Sequence, residues 1–304
     1  MPSLETTLCG VRMKNPLVLA SGIWGLTGGN LVRAAKEGAG AVTSKSCSLQ
    51  ARQGYGTPAL LEWDNSVLNS MGLSNPGVDA MLDELRFAIK NAGAPVIASA
   101  FGNSYDDFGR MCERLASVKP ALIEIDISSP NHKPGVKTDK PFACVPADAA
   151  KVTEVSKEAC GKIPLCVKLS PNVSDISEVA LAVEGAGADA ICAINTLKAM
   201  MIDVDARRPI LANKVGGLSG PAIFPVALRA VYEIRRTVEV PIIGTGGVTT
   251  GRDAVAMLMA GANAVGVGSA LALREKAFVR IAKEIEIFMR EKGVSKVSQL
   301  RLEE

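Results

Sequence analysis

The sequence has few aromatic residues, no CxxC pair, no basic block and no apolar run near the roughly 20 residues of a membrane span. The amino terminus, Met1 to Asn15, also lacks the basic-then-apolar order of a signal peptide, so we expect a soluble, cytoplasmic protein with no membrane partner. With 34 basic and 31 acidic residues, the net charge of +3 is spread along the chain. The electrostatic footprint of a nucleic-acid binder is missing, and the expected partner is a small molecule. Seven scattered cysteines (Cys9, Cys47, Cys112, Cys144, Cys160, Cys166 and Cys192) argue against a disulfide framework, a zinc site or an iron-sulfur cluster held by this chain alone. No metal is expected. Because aromatics make up 4% against 48% hydrophobic residues, the interior must be built from Ala, Val, Ile and Leu, the types that fill layered α/β cores.

What is present is a repeated alternation. Short apolar runs ending in polar residues or glycine recur at Leu17 to Ala20, Ala41 to Lys45, Val96 to Ala100, Leu122 to Ile127, Leu165 to Leu169, Ala190 to Ile194, Ile242 to Gly244 and Ala264 to Val267. Between most of them lie stretches of helical period, among them Val78 to Asn91, Asp106 to Val118, Ala147 to Ala159, Ile176 to Ala186, Ala222 to Val238 and Gly251 to Ala260. Eight strands alternating with helices predict an α/β fold, a (β/α)8 TIM barrel formed as a single domain over 1–304. Endings such as Glu37-Gly38-Ala39, Glu184-Gly185-Ala186-Gly187-Ala188 and Ala260-Gly261-Ala262 fit helix caps, because glycine takes up the left-handed conformation without a Cβ clash. Three connections exceed what a βα turn needs: Ser46 to Pro76, Ser128 to Pro146 and Asn195 to Pro221. All follow strand C-termini, the face where barrel enzymes carry long active-site loops.

Three groups of residues carry chemistry. Gly244-Thr-Gly-Gly247 and Gly266-Val-Gly-Ser269 read as a phosphate cradle, since backbone N–H groups at glycines can surround a phosphate after strands seven and eight; each alone also fits a tight turn. Lys45 and Lys168 emerge from apolar strands, which is costly unless an anion meets them. Such a lysine can stabilise a reduced flavin, grip a carboxylate, pair within the scaffold or form a Schiff base. Asn69, Asn131 and Asn195 offer carboxamides that complement a ring with alternating C=O and N–H groups, although asparagine is also a common turn residue.

The runs Asn69-Ser-Met-Gly-Leu-Ser-Asn-Pro-Gly77, Ile127-Ser-Ser-Pro-Asn131, Val167-Lys-Leu-Ser-Pro-Asn172, Ile194-Asn-Thr-Leu197 and Gly216-Gly-Leu-Ser-Gly-Pro221 resemble the dihydroorotate dehydrogenase family. The resemblance runs in order from about Leu17 to about Leu271 and is strongest to class 1, especially the class 1B catalytic subunit. It implies FMN at Ala20, Ser21, Lys45, Ser46, Asn103, Lys168, Gly220, Gly246, Gly247, Gly268 and Ser269. It implies orotate at Lys45, Asn69, Met71, Gly72, Leu73, Asn131, Asn195 and Thr196, with Ser129 at the position of the base. The implied reaction takes a proton from C5 of dihydroorotate and a hydride from C6. A homodimer is implied, and so is an electron-transfer subunit carrying FAD and an iron-sulfur cluster, unless fumarate, quinone or another soluble acceptor reoxidises the enzyme.

Two departures stand out. Most class 1 enzymes carry cysteine as the base, whereas Ser129 offers a hydroxyl that needs a path for its proton, so a rate rising with pH is expected. The only histidine, His132, lies close enough in sequence to relay that proton, or it is a surface residue. Asp126 replaces a substrate-binding asparagine and offers acceptors only. It is therefore protonated or cation-paired, or the substrate is a uracil- or thymine-type dihydropyrimidine. The polar segment Asn131 to Lys140 reads as a lid, or as a solvated charge run. A Schiff-base lyase and a non-catalytic FMN-binding barrel are the remaining rival readings.

Overall fold

The computed structural model describes residues 2–128 and 142–302. Eight parallel strands close into a barrel: β1 (Leu17–Leu19), β2 (Ala41–Thr43), β3 (Val96–Ala100), β4 (Leu122–Asp126), β5 (Leu165–Lys168), β6 (Ala190–Ala193), β7 (Ile242–Thr245) and β8 (Ala264–Val267). Each pairs with the next in sequence, and β8 returns to β1 with Val265 opposite Leu17. These are the eight runs expected from the sequence.

Helices α1 (Gly28–Lys36), α2 (Val78–Asn91), α3 (Tyr105–Ala116), α4 (Pro146–Cys160), α5 (Ile176–Gly185), α6 (Phe224–Arg235) and α7 (Gly251–Met259) cross between strands. The short α8 (Ala270–Leu273) and the longer α9 (Ala277–Glu291) follow β8. Local chemistry marks their ends. Ser104 caps α3 by accepting from Asp107 N, and Thr250 with Asp253 forms a reciprocal capping box on α7. The Gly-Ala endings are paired caps: Gly38, Gly187 and Gly261 have φ of +109°, +96° and +110°. The following alanines donate back to Ala34, Val183 and Met257.

Side chains alternate across the strands with period two, so one choice of face fixes every inward residue. Val18, Ala41, Ile97, Leu122, Cys166, Ala190, Ile243 and Ala264 form one buried layer. A hairpin, Thr6–Leu8 with Val11–Met13, adds Leu8 and Met13 to it. Its two-residue turn uses Cys9 and Gly10, both at positive φ, which matches strand twist. The same period carries Glu124, Asp126 and Lys168 inward, farther along their strands.

Two of the long connections do not stay irregular. Leu60–Trp63 and Ser66–Asn69 from the first pair with Leu197–Ala199 and Gly216–Ser219 from the last in one four-stranded antiparallel sheet. Its central register sets Gly217 opposite Asn69 and Ser219 opposite Val67. The sequence gives no local sign of this, since each strand is short and its partner lies far along the chain. Most of the third connection falls outside the described residues.

Candidate active site

A cavity of about 330 Å³ opens at the C-terminal ends of the strands, a volume within the range of small-molecule sites. Seven of the eight strands contribute what stands at or just beyond their last residue: Ala20 and Ser21 from β1, Lys45 and Ser46 from β2, Asp126 from β4, Lys168 from β5, Asn195 and Thr196 from β6, Thr245 to Gly247 from β7, and Gly268 and Ser269 from β8. The antiparallel sheet and the turn after it add Glu62, Val67, Asn69, Met71, Gly72, Leu73 and Ser219.

Most residues singled out from the sequence therefore line one space. Two of the described ones do not: Asn103 lies at the start of α3, its N–H donating to Asp107 Oδ2 at 2.9 Å, and Gly220 packs behind the cradle, where a Cβ would meet Ser66 Cα at 2.8 Å. Ser129, Asn131, His132 and the rest of the segment through Lys140 lie outside the described residues. Several lining residues were given no role of their own from the sequence. Thr245 lies inside the Gly244–Gly247 run and Ile194 closes the sixth apolar run, so both were within reach of the period-two argument. Glu62 and Ser219 come from the long-range sheet, for which no local signal exists.

The glycines after β7 are demanded by space. At Gly247, φ is +74° and a Cβ would lie 2.7 Å from Phe224 N and 2.8 Å from Gly220 O. At Gly246, φ is +131° and a Cβ would lie 2.7 Å from Ala227 Cβ. Among the described residues, the N–H groups of Gly247, Gly268 and Ser269 find no acceptor, while that of Gly246 continues the β7–β8 ladder. Three unpaired donors at one rim suit a phosphate.

The polar interior is unusual for a barrel. Lys168 is 6% exposed and Glu124 only 2%. Burial disfavours the Lys168 ammonium, but Glu124, Cys192 and Asp126 act against it and hold its pKa above the usual lysine value. Burial lowers Lys45, with Asp126 opposing and Lys168 adding to the effect. Neither ammonium has a carboxylate within 4.0 Å among the described residues. Both line the cavity, so an anionic ligand is the partner their charges lack.

Asp126 is filled differently. Its Oδ1 accepts from Ser128 N at 3.0 Å and Ser128 Oγ at 2.6 Å, and Asn195 Nδ2 lies 3.3 and 3.4 Å from its two oxygens. Asn195 Nδ2 also donates to Ser128 Oγ at 3.0 Å, and Asn195 Oδ1 accepts from Thr196 N at 2.7 Å. The carboxylate thus anchors the ends of β4 and β6 to each other. Thiol chemistry is suppressed around them: burial pushes Cys47 and Cys192 up to about 12, Cys192 with help from Glu124.

The sequence profile of the dihydroorotate dehydrogenase family matches residues 3–289. Relatives named dihydroorotate dehydrogenase B (NAD(+)), catalytic subunit, include one from Methanosarcina mazei, 44% identical over 98% of this chain and 94% of its own length. One from Pyrococcus abyssi is 44% identical over 98% of this chain and 97% of its own, and one from Geobacter sp. strain M21 is 41% identical over the same shares.

Proposed function

The chain belongs to the dihydroorotate dehydrogenase family, and from that premise we propose that it is the catalytic subunit of a class 1B enzyme that binds FMN and oxidises (S)-dihydroorotate to orotate in pyrimidine biosynthesis. The observation that carries the reading is the cavity itself. Two lysines without ion-pair partners, Lys168 buried and Lys45 half-buried, and three unpaired N–H donors face one space at the barrel mouth.

A bound flavin supplies the two-electron acceptor that no side chain can provide. Gly247, Gly268 and Ser269 would offer N–H groups to its phosphate, with Gly246 lining the same turn, while Ala20, Ser21, Ser46 and Lys168 would hold the ring. Lys45 takes the substrate carboxylate, and Asn69, Asn195, Thr196 and the Met71 to Leu73 turn complete the substrate side. Ser129 would take the C5 proton as its own hydroxyl proton passes to solvent, and the hydride from C6 would go to the flavin. Asp126 has its acceptors occupied by Ser128 and Asn195, so its negative charge is turned toward protein donors and orotate is the favoured ligand. The chain offers no cysteine spacing for a cluster, and electrons leave through a partner subunit carrying FAD and an iron-sulfur centre, with two catalytic subunits forming a homodimer.

The test is the visible spectrum of the purified protein. It should show bound FMN that bleaches on anaerobic addition of dihydroorotate, and Ser129→Ala should lose turnover while keeping the flavin. A colourless protein that fails to retain added FMN overturns the reading. Bleaching by dihydrouracil but not by dihydroorotate, changed by Asp126→Asn, would move the substrate to the uracil class.

A further inference from the structure

Glu124 plays no part in the reaction as described, yet among the described acidic residues it is the most deeply buried. It sits two residues before Asp126 on β4, on the same inward face and one layer below the cavity. A chain of hydroxyls leads away from it. Ser99 Oγ lies 3.0 Å from Glu124 Oε1, Ser46 Oγ lies 2.9 Å from Ser99 Oγ, and Ser21 Oγ lies 3.0 Å from Ser46 Oγ. Ser21 Oγ ends the chain at the Ser44 carbonyl, 2.9 Å away. Ser21 and Ser46 line the cavity, so the chain joins a buried carboxyl to the cavity wall.

The hydrogens can be counted. The chain has four contacts, and its serines bring one hydroxyl hydrogen each, three in all. A carbonyl only accepts, so Ser21 donates to Ser44 O. The Ser21–Ser46 contact then needs the Ser46 hydrogen, and the Ser46–Ser99 contact needs that of Ser99. Nothing is left for the contact with Glu124 unless the carboxyl brings its own proton. An ionised Glu124 would take the Ser99 hydrogen and leave one of the two Ser21 contacts, with Ser46 Oγ at 3.0 Å or with Ser44 O at 2.9 Å, without a hydrogen. The longer Ser21–Ser99 contact of 3.4 Å adds no donor.

We propose that Glu124 carries a proton at neutral pH and is a positioning residue: its O–H starts a hydrogen-bond relay through Ser99 and Ser46 that fixes the hydroxyls on the cavity wall. Its neutrality leaves the Lys168 charge free for the anion that the cavity holds, a consequence that rests on reading the cavity as a flavin site. The groups facing Glu124 are Lys168 and Cys166 on β5, Cys192 on β6, Ser99 on β3 and Asp126 on its own strand. Burial is the largest influence and raises the Glu124 pKa; Lys168 opposes it, Asp126 supports it, and Ser99 and Cys192 act weakly the other way. Asp126 also helps hold Lys168 charged when Glu124 is neutral. Ionisation at higher pH would reverse the hydroxyl chain and cancel part of the field of Lys168.

The first measurement needs no flavin. Infrared difference spectra of the flavin-free protein at neutral pH, wild type against Glu124→Gln, should show the carbonyl band of a protonated carboxylic acid in the wild type only. Ser99→Ala, which removes the acceptor of that proton, should shift the band. Absence of the band, or a band indifferent to Ser99→Ala, overturns the proposal. The second measurement is FMN affinity from mildly acidic to alkaline pH. Wild-type affinity should fall about tenfold across the Glu124 titration, the change expected of one pKa unit of coupling, while Glu124→Gln stays flat. Identical pH courses for the two proteins overturn the link to the cavity. If the wild type retains no FMN at any pH, the flavin reading fails and the infrared result still decides the protonation of Glu124.

Discussion

At the N-terminal end of the barrel the inward residues are Val18, Ala41, Ile97, Leu122, Cys166, Ala190, Ile243 and Ala264, joined by Leu8 and Met13 of the hairpin. At the C-terminal end the same strands present Lys45, Asp126, Lys168 and Thr245 to a cavity. A step of two to four residues along each strand separates an apolar plug from a charged pocket. The difference shows how one sheet can hold groups that would destabilise a core. The lower layer supplies packing, and the upper layer meets ligand and solvent at an open rim. The intermediate layer, with Glu124 and Ser99, is where the two regimes meet.

The comparison breaks if substitutions at the two ends have the same consequences. Lys168→Met should have the largest effect, lowering kcat/KM for dihydroorotate by on the order of 10²–10³ and weakening FMN retention, because a preorganised charge facing the ligand is lost. Steady-state rates with added FMN check this, and urea unfolding should show a smaller relative change. At the other end Leu122→Ala should do the reverse. It should cost about 2–5 kcal/mol of stability by opening a cavity in the plug, with kcat/KM altered by no more than a few-fold.

The middle layer sharpens the contrast through pH. The pKa of Glu124 is raised in the folded state, so its contribution to stability is complete below the ordinary glutamate value and is lost as pH rises through the raised one. The urea midpoint of flavin-free wild type should fall across that window, and Glu124→Gln should flatten the fall. The smallest effect belongs to the surface. Arg12 and Glu5 form an exposed ion pair, and Arg12→Ala should leave both the urea midpoint and the rate unchanged.

Much of this was legible in the residues. Each strand is a short apolar run that turns polar at its C-terminal end, and that turning point is where the cavity lies, so the position of Lys45, Lys168 and Asn195 on the cavity lining was visible in the sequence. The Gly-Ala caps were visible because only glycine relieves the left-handed turn that follows a helix. The mouth sheet was not, since the pairing of Gly217 with Asn69 joins segments with no local mark of each other. With it went Glu62 and Ser219. Asn103 and Gly220, assigned to the cofactor by resemblance, stand outside the cavity lining. Asp126 read as protonated, cation-paired or a sign of another substrate, whereas Ser128 and Asn195 supply its donors.

The sequence by itself determined the repeating unit, the barrel and the end of it that carries polar groups, because hydrophobic period and glycine placement act over a few residues. Tertiary structure alone decided which groups share a proton or a charge. The partners of Glu124 come from β3, β5 and β6, and those of Asp126 from the ends of β4 and β6. Hydrogen bonds and buried charges depend on distances of a few ångströms between strands, and only closure of the barrel sets those distances.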